Sequence, residues 1–291
     1  MERVRVITDS NSGITQKEAE ELGIKVVPMP FTIDGEEYFE EITISQEKFY
    51  EFLAKGADVL TSQPSRVYLE ELWENELQDA DQIVYIPMSS GLSGSCDNAS
   101  IYAKSFDGKV EVVDNRRISV TQKESVMEAL KLAEQGKSAK EIKEYLEETG
   151  NKSSIYIMVN DLKYLKKGGR ISRTASAIGS MLRLKPVLTS RGGSFEKYAI
   201  AMSLEQAKSK MLVAVKKDLE NDFKQEYESG KMVLSVAHTN NLTQAQAFAE
   251  NLKKALPNLS FHFVDSLSLS VSCHIGPGSL ACALSINSFQ K

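Results

Sequence analysis

The alternation of strand-like and helix-like segments predicts an α/β fold with two domains and largely parallel sheets. Short runs rich in β-branched residues, such as Val4–Thr8 and Val233–Ala237, alternate with longer amphipathic stretches. A hydrophobic period of two indicates strands and a period of 3.6 indicates helices, and their alternation is typical of sheets covered by helices. With 291 residues the chain is long enough for two modest domains.

Each predicted strand is a short apolar run that ends in a polar turn. Helix starts are marked by a hydroxyl residue followed three residues later by Glu or Gln, which is the pattern of a capping box. The predicted strands are Val4–Thr8, Lys25–Pro28, Gln82–Pro87, Val110–Asp114, Ile155–Val159, Pro186–Thr189, Val233–Ala237 and Phe261–Val264. The capping pairs are Thr15 with Glu18, Ser138 with Glu141, Ser203 with Gln206, and Thr243 with Gln246.

A shift in composition divides the chain. The segment Leu162–Phe195 contains no acidic residue and is rich in basic ones. We therefore place a boundary near residue 155, between an N-terminal domain of residues 1–155 and a C-terminal domain of residues 156–291, with a ligand-binding cleft between them. The basic residues of the segment are Lys163, Lys166, Lys167, Arg170, Arg173, Arg183, Lys185 and Arg191.

Charge and motif content exclude several classes of function. The 35 basic and 40 acidic residues give a net charge of −5, which disfavours general nucleic-acid binding. Cys96, Cys273 and Cys282 form no C-x-x-C pair, and no metal-binding or nucleotide-binding motif is present, so no metal and no cofactor is expected. With no apolar run near the ~18 residues that span a bilayer and no leader at Met1, we expect a cytoplasmic protein without stable membrane insertion.

The turn Ser89–Ser95 is the first candidate for a binding site. It follows the strand Gln82–Pro87 and precedes the predicted helix Cys96–Lys104. The first backbone amides of a helix lack internal partners and the helix dipole favours negative charge there, so a serine- and glycine-rich turn at this point can hold an anion. The alternative is a turn that only caps its own helix.

An enzyme that uses Ser93 as a nucleophile stays open at this point. Gly91-Leu92-Ser93-Gly94-Ser95 has the first glycine and the serine of a nucleophile elbow but lacks its last glycine. Triad members are distant in sequence, so spacing does not exclude a serine hydrolase of acyl esters that uses Ser93 and His274.

Two further polar segments lie near predicted strand ends. Thr61-Ser62-Gln63-Pro64-Ser65 precedes the predicted helix Arg66–Leu77, and capping explains one of its hydroxyls but not all. Thr8-Asp9-Ser10-Asn11-Ser12 closes the first strand, and we interpret Asp9 as the acceptor of an Asx-turn, with a ligand contact as the alternative.

The segment His274-Ile275-Gly276-Pro277-Gly278 is a second candidate for an anion site. It precedes the small-residue run Ser279–Ile286, which we predict to be a helix. A histidine at a helix start would add a titratable group, although a hydrogen-bonded structural histidine is the simpler reading.

Taken together, these segments resemble the DegV family, the fatty-acid-binding subunits (FakB proteins) of bacterial fatty acid kinase systems. Each piece is weak alone, but their order and spacing along nearly the whole chain are specific. The matching pieces are Ile7–Ser12, Thr61–Ser65, Ser89–Ser95, Leu165–Ile171, Leu184–Leu188 and His274–Gly278.

The resemblance implies a fatty-acid carrier that performs no chemistry itself. It implies a buried long-chain acyl group whose carboxylate is bound by Thr61 and Ser93 and presented to a separate kinase. That kinase would form an acyl phosphate, a phospholipid precursor. The supporting polar network implied by the resemblance is Ser62, Gly94, Arg170, His274 and Gly276.

The basic segment then has three interpretations: a solvated face, a nucleic-acid patch, or a docking surface for the kinase through Lys166, Lys167 and Arg173. The resemblance favours docking. The chain departs from the family pattern at Ile275, where Thr is usual, and at Ser119–Lys123, where many members carry glycines. It also departs at Tyr198–Met202, an apolar segment where many members carry a basic residue.

Overall fold

The computed structural model describes residues 2–176 and 184–289. The chain divides into two compact units, residues 1–151 and 152–291. The expected boundary near residue 155 falls inside the first strand of the second unit, because the composition shift begins only after that strand.

The first unit contains a parallel sheet, a small antiparallel sheet and the helices around them. Its strands are β1 (Val4–Asp9), β2 (Lys25–Val27), β3 (Phe31–Ile33), β4 (Glu36–Tyr38), β5 (Val59–Thr61), β6 (Gln82–Ile86) and β7 (Val110–Val112). Its helices are α1 (Gln16–Leu22), α2 (Gln46–Ala54), α3 (Arg66–Glu76), α4 (Ser95–Tyr102), α5 (Val120–Glu134) and α6 (Ala139–Thr149).

The main sheet of this unit has the order β2-β1-β6-β7, and all of its pairs are parallel as predicted. The carboxyl ends of β1, β6 and β7 therefore lie at one edge, where open α/β sheets bind ligands. Strands β3, β4 and β5 form a separate antiparallel sheet. We did not predict it, because strands of three residues are too short to show a clear alternation.

The second unit is built on a single six-stranded sheet. Its strands are β8 (Ser153–Met158), β9 (Lys185–Ser190), β10 (Glu196–Ala201), β11 (Met232–His238), β12 (Ser260–Ser266) and β13 (Leu280–Ile286). Its helices are α7 (Lys163–Gly168), α8 (Arg173–Ser176), α9 (Leu204–Glu220), α10 (Lys224–Glu228), α11 (Leu242–Ala255) and α12 (Leu269–Ile275).

The expectation of largely parallel sheets is wrong for this second sheet. Its order is β10-β9-β8-β13-β11-β12, and only β11 and β12 pair in parallel. A short hairpin joins β9 to β10, and a connection of that length permits only antiparallel pairing. Strand β13 enters between β8 and β11 and runs against both.

The helix predicted at Ser279–Ile286 is in fact the central strand β13. All seven of its residues are buried, because neighbouring strands pair on both sides and both faces are covered. A strand buried on both faces shows no alternation of polar and apolar residues, so periodicity could not separate it from a buried helix.

Most predicted helix starts are correct. The hydroxyls of Thr15, Ser138 and Ser203 each accept a hydrogen bond from the amide three residues later, and Ser138 with Glu141 forms a complete capping box. The fourth pair is wrong: α11 begins at Leu242 after the N-cap Asn241, which leaves Thr243 inside the helix.

Each unit has its own apolar core. The single tryptophan, Trp73, is fully buried in the first unit against Tyr85 and Phe106. In the second unit Met211 and Phe248 bury helices α9 and α11 against the sheet. Full burial of one such side chain contributes roughly 1.5–3 kcal/mol. No helix within the described residues is long and apolar enough to cross a membrane.

Candidate functional site

The turn between β6 and α4 carries the first hydroxyl group. The amides of Leu92 and Ser93 donate to the carbonyl of Ser89 at 3.1 and 3.2 Å, which folds the turn on itself. The half-buried Ser93 hydroxyl accepts a hydrogen bond from the Ser95 amide at 3.2 Å. The N-cap residue of α4 is Gly94, which has no side chain to cap the helix, and the Ser93 hydroxyl binds the amide of the first helical residue instead.

The second hydroxyl cluster follows β5. Thr61 is the last residue of that strand and is half-buried, and the exposed Ser62 donates its amide to the Pro30 carbonyl at 3.0 Å. Ser65 caps α3 by accepting from the Tyr68 amide at 3.2 Å. Capping therefore uses one hydroxyl of this cluster, as the sequence predicts.

A side-chain pair brings these two clusters together. The Asn98 amide on α4 donates to Oε1 of Gln63 at 2.9 Å, and Gln63 Nε2 lies 4.0 Å from the position of a Cβ on Gly94. One turn further along, the Arg66 guanidinium lies over the Tyr102 ring at 5.4 Å. Helices α3 and α4 thus hold the Thr61 and Ser93 loops as neighbours.

Asp9, at the end of β1, makes hydrogen bonds at the start of the turn between β6 and α4. Its Oδ1 accepts from the Asn11 amide at 3.0 Å, which confirms the predicted Asx-turn. Its Oδ2 also accepts from the Met88 amide at 2.8 Å, at the entrance to the turn. Burial raises the pKa of this carboxyl from 3.8 to about 6, against the lowering effect of the N–H donors around it.

Gln122 is a functional candidate that sequence reasoning missed. Its Nε2 lies within hydrogen-bond distance of Thr8 Oγ1, Asp9 Oδ1 and the Ile86 carbonyl, at 3.0 to 3.1 Å. It belongs to α5, whose first turn is buried although it is polar. A polar helix start that follows a strand of the parallel sheet is the signal in the sequence that could have indicated it.

Asp114 was also missed as a supporting residue. It follows β7 and accepts hydrogen bonds from the Ser90 amide at 3.2 Å and the Ser90 hydroxyl at 2.5 Å. The turn after β6 is therefore held from the two strands that flank β6, by Asp9 at the end of β1 and by Asp114 after β7.

In the second unit, His274 lies in the last turn of α12 and packs against α7. A methyl group on Gly168 would overlap the imidazole, and one on Gly276 would overlap the Tyr164 ring. Burial and the positive charges of Arg170 and Lys167 lower the pKa of His274 from 6.5 to about 4. Arg170 is thus close enough to His274 to shift its pKa, and Gly276 follows one residue after the end of α12.

The prediction of a helix start after His274 is wrong, because β13 follows it. His274 instead ends a helix, where the dipole favours a cation, yet burial keeps the imidazole neutral. A serine hydrolase would need an acidic residue to orient this histidine. Both charges that shift its pKa are positive, which argues against that alternative.

The predicted docking residues Lys166, Lys167 and Arg173 are all exposed. Further basic residues of the segment make contacts within the second unit. Arg191 forms ion pairs with Asp218 at 2.9 Å and Asp222 at 2.6 Å. The remaining members are Lys185, which donates to Asn160, Lys163, which pairs with Asp161, Arg170, which donates to the Gly168 carbonyl, and Arg183, which lies outside the described residues.

The three departures from the family pattern have structural counterparts. Ile275 is buried at the end of α12, and Tyr198 on β10 packs edge-on against Tyr156 with ring centroids 5.0 Å apart. Ser119, the first residue of the segment Ser119–Lys123, has φ 57° and ψ −139°, a backbone conformation that favours glycine. Within the described ranges, no group of three or more His, Cys, Asp or Glu could hold a metal.

Comparisons with known proteins agree with this architecture. The sequence model of the DegV family, described as "Uncharacterised protein, DegV family", matches residues 3–287. A DegV domain-containing protein of Caldanaerobacter subterraneus is 34% identical over 197 residues, covering 67% of this chain and 70% of the relative. One of Staphylococcus aureus is 29% identical over 280 residues, covering 94% and 96%.

Two solved structures are similar over almost their full lengths. A DegV family protein from Thermus thermophilus, described by its fatty acid binding, has a TM-score of 0.86 at 27% identity, covering 98% of this chain and 99% of that one. DegV from Bacillus subtilis, described as a fatty acid binding protein, has a TM-score of 0.82 at 26% identity, covering 98% and 100%. The similar structures and the matching sequence model indicate the same family, and this chain belongs to the DegV family.

Proposed function

We propose that this protein binds a long-chain fatty acid and holds its carboxylate with the hydroxyls of Thr61 and Ser93. The single observation that carries the proposal is the Gln63–Asn98 hydrogen bond of 2.9 Å, which joins the two hydroxyl loops in one unit. The DegV proteins of Thermus thermophilus and Bacillus subtilis, described as binding fatty acids, support the choice of ligand.

The chemistry of the loops suits a carboxylate. Hydroxyls and the amides of the first turn of α4 are neutral donors, and donors to an ionised acceptor form strong hydrogen bonds. Because each buried CH₂ contributes about 0.8 kcal/mol, the acyl chain rather than the head group supplies most of the affinity. We assign no catalytic residue, since the site offers donors for an anion and His274 lies among positive charges.

The bound acid would be presented to a partner kinase that phosphorylates the carboxylate to an acyl phosphate. The exposed cations Lys166, Lys167 and Arg173 support a docking role, because exposed charges steer association. His274, Arg170 and Gly276 would complete the polar network, as the family resemblance implies.

Binding is tested by native mass spectrometry of freshly purified protein. We expect a co-purifying mass of a long-chain acid, and an empty protein that also fails to take up added oleate would refute the proposal. The double variant Thr61→Ala with Ser93→Ala should bind oleate at least about 10-fold more weakly, given the loss of two hydrogen bonds to a charged group. Ser209→Ala, at an exposed serine on α9, serves as the control and should bind normally.

The kinase step is tested separately with oleate-loaded protein, ATP and the catalytic subunit of a bacterial fatty acid kinase. We expect acyl phosphate, trapped with hydroxylamine, and a rate that falls with salt. The triple variant Lys166→Glu, Lys167→Glu and Arg173→Glu should lose most of the rate but retain oleate. The control is Lys216→Glu, at an exposed lysine on α9 of the same unit. No acyl phosphate from the wild type would refute presentation while leaving binding intact.

A further inference from the structure

The carboxylate of Asp9 joins three separate segments of the first unit. It accepts hydrogen bonds from the Met88 amide after β6, from the Asn11 amide of its own turn, and from the Gln122 side chain on α5. The three distances lie between 2.8 and 3.1 Å, and both Asp9 and Gln122 are fully buried. The residue therefore determines where the segment after β6 leaves the sheet.

Met88 is the residue from which the Ser89–Ser95 turn begins. Besides its amide, its sulfur is held, since the Asn11 side chain donates to Met88 Sδ at 3.1 Å. The next residue, Ser89, donates its amide to the Arg117 carbonyl at 2.9 Å and accepts the amides of Leu92 and Ser93. A displacement of Met88 would therefore displace the loop that carries the Ser93 hydroxyl.

The charge of Asp9 is compensated by hydrogen-bond donors. The groups that lower its pKa are the N–H donors of Met88, Gln122 and Asn11. The ionisable groups coupled to it are Tyr85 of β6 and Cys96 of α4, and burial raises the pKa of both, so both are neutral at physiological pH.

Two lysines on the elements packed around Asp9 form ion pairs. On α5, Lys123 forms an ion pair of 2.8 Å with Glu18 of α1. On β2, Lys25 pairs with Glu76 at 3.5 Å. A buried carboxylate of this kind lowers folding stability when it ionises, so its presence calls for a role other than stability.

We propose that Asp9 is the positioning residue of the fatty-acid site: its ionised carboxylate holds the Met88 amide, and its protonation releases the Ser89–Ser95 turn and weakens binding. This inference rests on the proposed function. Protonation removes the charge that strengthens these hydrogen bonds and adds an O–H group among N–H donors, so the carboxyl holds the Met88 amide more weakly. Fatty-acid affinity is thereby coupled to mildly acidic pH.

The first test needs no ligand. In the full chain labelled with ¹⁵N, the Met88 amide signal should titrate with a midpoint near pH 6, since burial raises the Asp9 pKa to about 6. The midpoint should be absent in Asp9→Asn and preserved in Asp81→Asn. Asp81 is a matched control, because its carboxylate also holds a backbone amide of the first unit, that of Arg3 at 2.7 Å. A Met88 signal that does not shift between pH 5 and 7 would overturn the inference.

The second test measures affinity for dansyl-undecanoic acid at pH 7.5 and pH 5.0. At pH 7.5 we expect Asp9→Asn to bind about 10-fold more weakly than the wild type, and at pH 5.0 the two should agree within about twofold. Asp81→Asn should follow the wild type at both values. Equal affinities of Asp9→Asn and the wild type at pH 7.5 would overturn the positioning role. A ratio of these two affinities that is independent of pH would overturn it as well.

The two tests separate failure of this inference from failure of the proposed function. A wild type that binds no probe at either pH refutes the proposed function and, with it, a role of Asp9 in binding. If the wild type binds the probe and the ratio of its affinity to that of Asp9→Asn is the same at both pH values, only the role of Asp9 is refuted.

Discussion

The side-chain amide of Asn98 donates a 2.9 Å hydrogen bond to Oε1 of Gln63, which joins the start of α4 to the loop after β5. Neither residue is one of the predicted carboxylate ligands, Thr61 and Ser93. The pair nevertheless joins the loop that carries Thr61 to the helix that follows Ser93.

Removing this hydrogen bond should weaken ligand binding without touching the ligand. In Asn98→Ala we expect a 3- to 10-fold lower affinity for oleate, roughly the worth of one neutral hydrogen bond. Isothermal titration calorimetry measures the change. The exposed Gln135 provides the control variant Gln135→Ala, which should bind normally. Unchanged affinity in Asn98→Ala would show that the loops are held by other contacts.

The buried carboxyl of Asp9 should make stability depend on pH between about 4 and 6. Its pKa rises from 3.8 in the unfolded chain to about 6 in the fold, so the folded state binds the proton more tightly. Stability from this group is therefore full below pH 4 and falls as pH rises to 6, by about 3 kcal/mol at most. Urea unfolding followed by the fluorescence of Trp73, which lies in the same unit, measures it.

The control for this prediction is Asp9→Asn, in which the dependence over that pH interval should be reduced. A wild type whose unfolding free energy rises from pH 4 to 6 relative to this variant would contradict the assignment, because it would require a lowered pKa.

Two serines at the N-cap positions of consecutive helices should respond in opposite ways to replacement by glycine. Ser119, before α5, has φ 57° and ψ −139°, and Ser119→Gly should raise the free energy of unfolding by about 1 kcal/mol through relief of strain. Ser138, before α6, has φ −70° and forms a capping box with Glu141. Ser138→Gly should therefore lower it by a few tenths of a kcal/mol or more. The unfolding of both variants is followed by Trp73 fluorescence. A loss of stability in Ser119→Gly would contradict backbone strain at Ser119.

A methyl group at Gly168 should disturb the histidine network of the second unit. It would overlap the His274 imidazole, so Gly168→Ala should lower stability by about 1–3 kcal/mol through overpacking. Gly193→Ala is the matched control, since a Cβ there would meet open space. Calorimetric unfolding compares the two variants. Equal melting temperatures would show that the His274 side chain moves aside without loss of stability.

His274 should remain neutral well below the usual pKa of histidine. Burial and the neighbouring cations Arg170 and Lys167 lower its pKa from 6.5 to about 4. The stability that this neutral histidine supplies is present above pH 6.5 and is lost as pH falls toward 4, by about 3 kcal/mol.

The ¹³C-resolved Cε1–H signal of His274 reports this titration directly, and its assignment follows from its loss in His274→Gln. A midpoint above 6.5 would instead require an acidic partner, which is the arrangement that a hydrolase would need.

The sequence alone determined the local structure around the candidate site. Three parts of the site depend on neighbouring residues only. Strand β6 follows from a run of apolar residues, the turn Ser89–Ser95 from its glycines, and the start of α3 from a serine whose hydroxyl accepts a hydrogen bond from the amide three residues later. The order of the hydroxyl and glycine motifs also sufficed to predict the DegV family.

Only the tertiary structure decided which residues meet. The contacts of Gln63 with Asn98, of Asp9 with Met88 and Gln122, and of Gly168 with His274 join positions far apart in the chain. The same holds for β13, which became a central strand because β8 and β11 cover its edges. Hydrogen bonds and burial between distant segments depend on how whole elements pack, and local propensity does not contain that information.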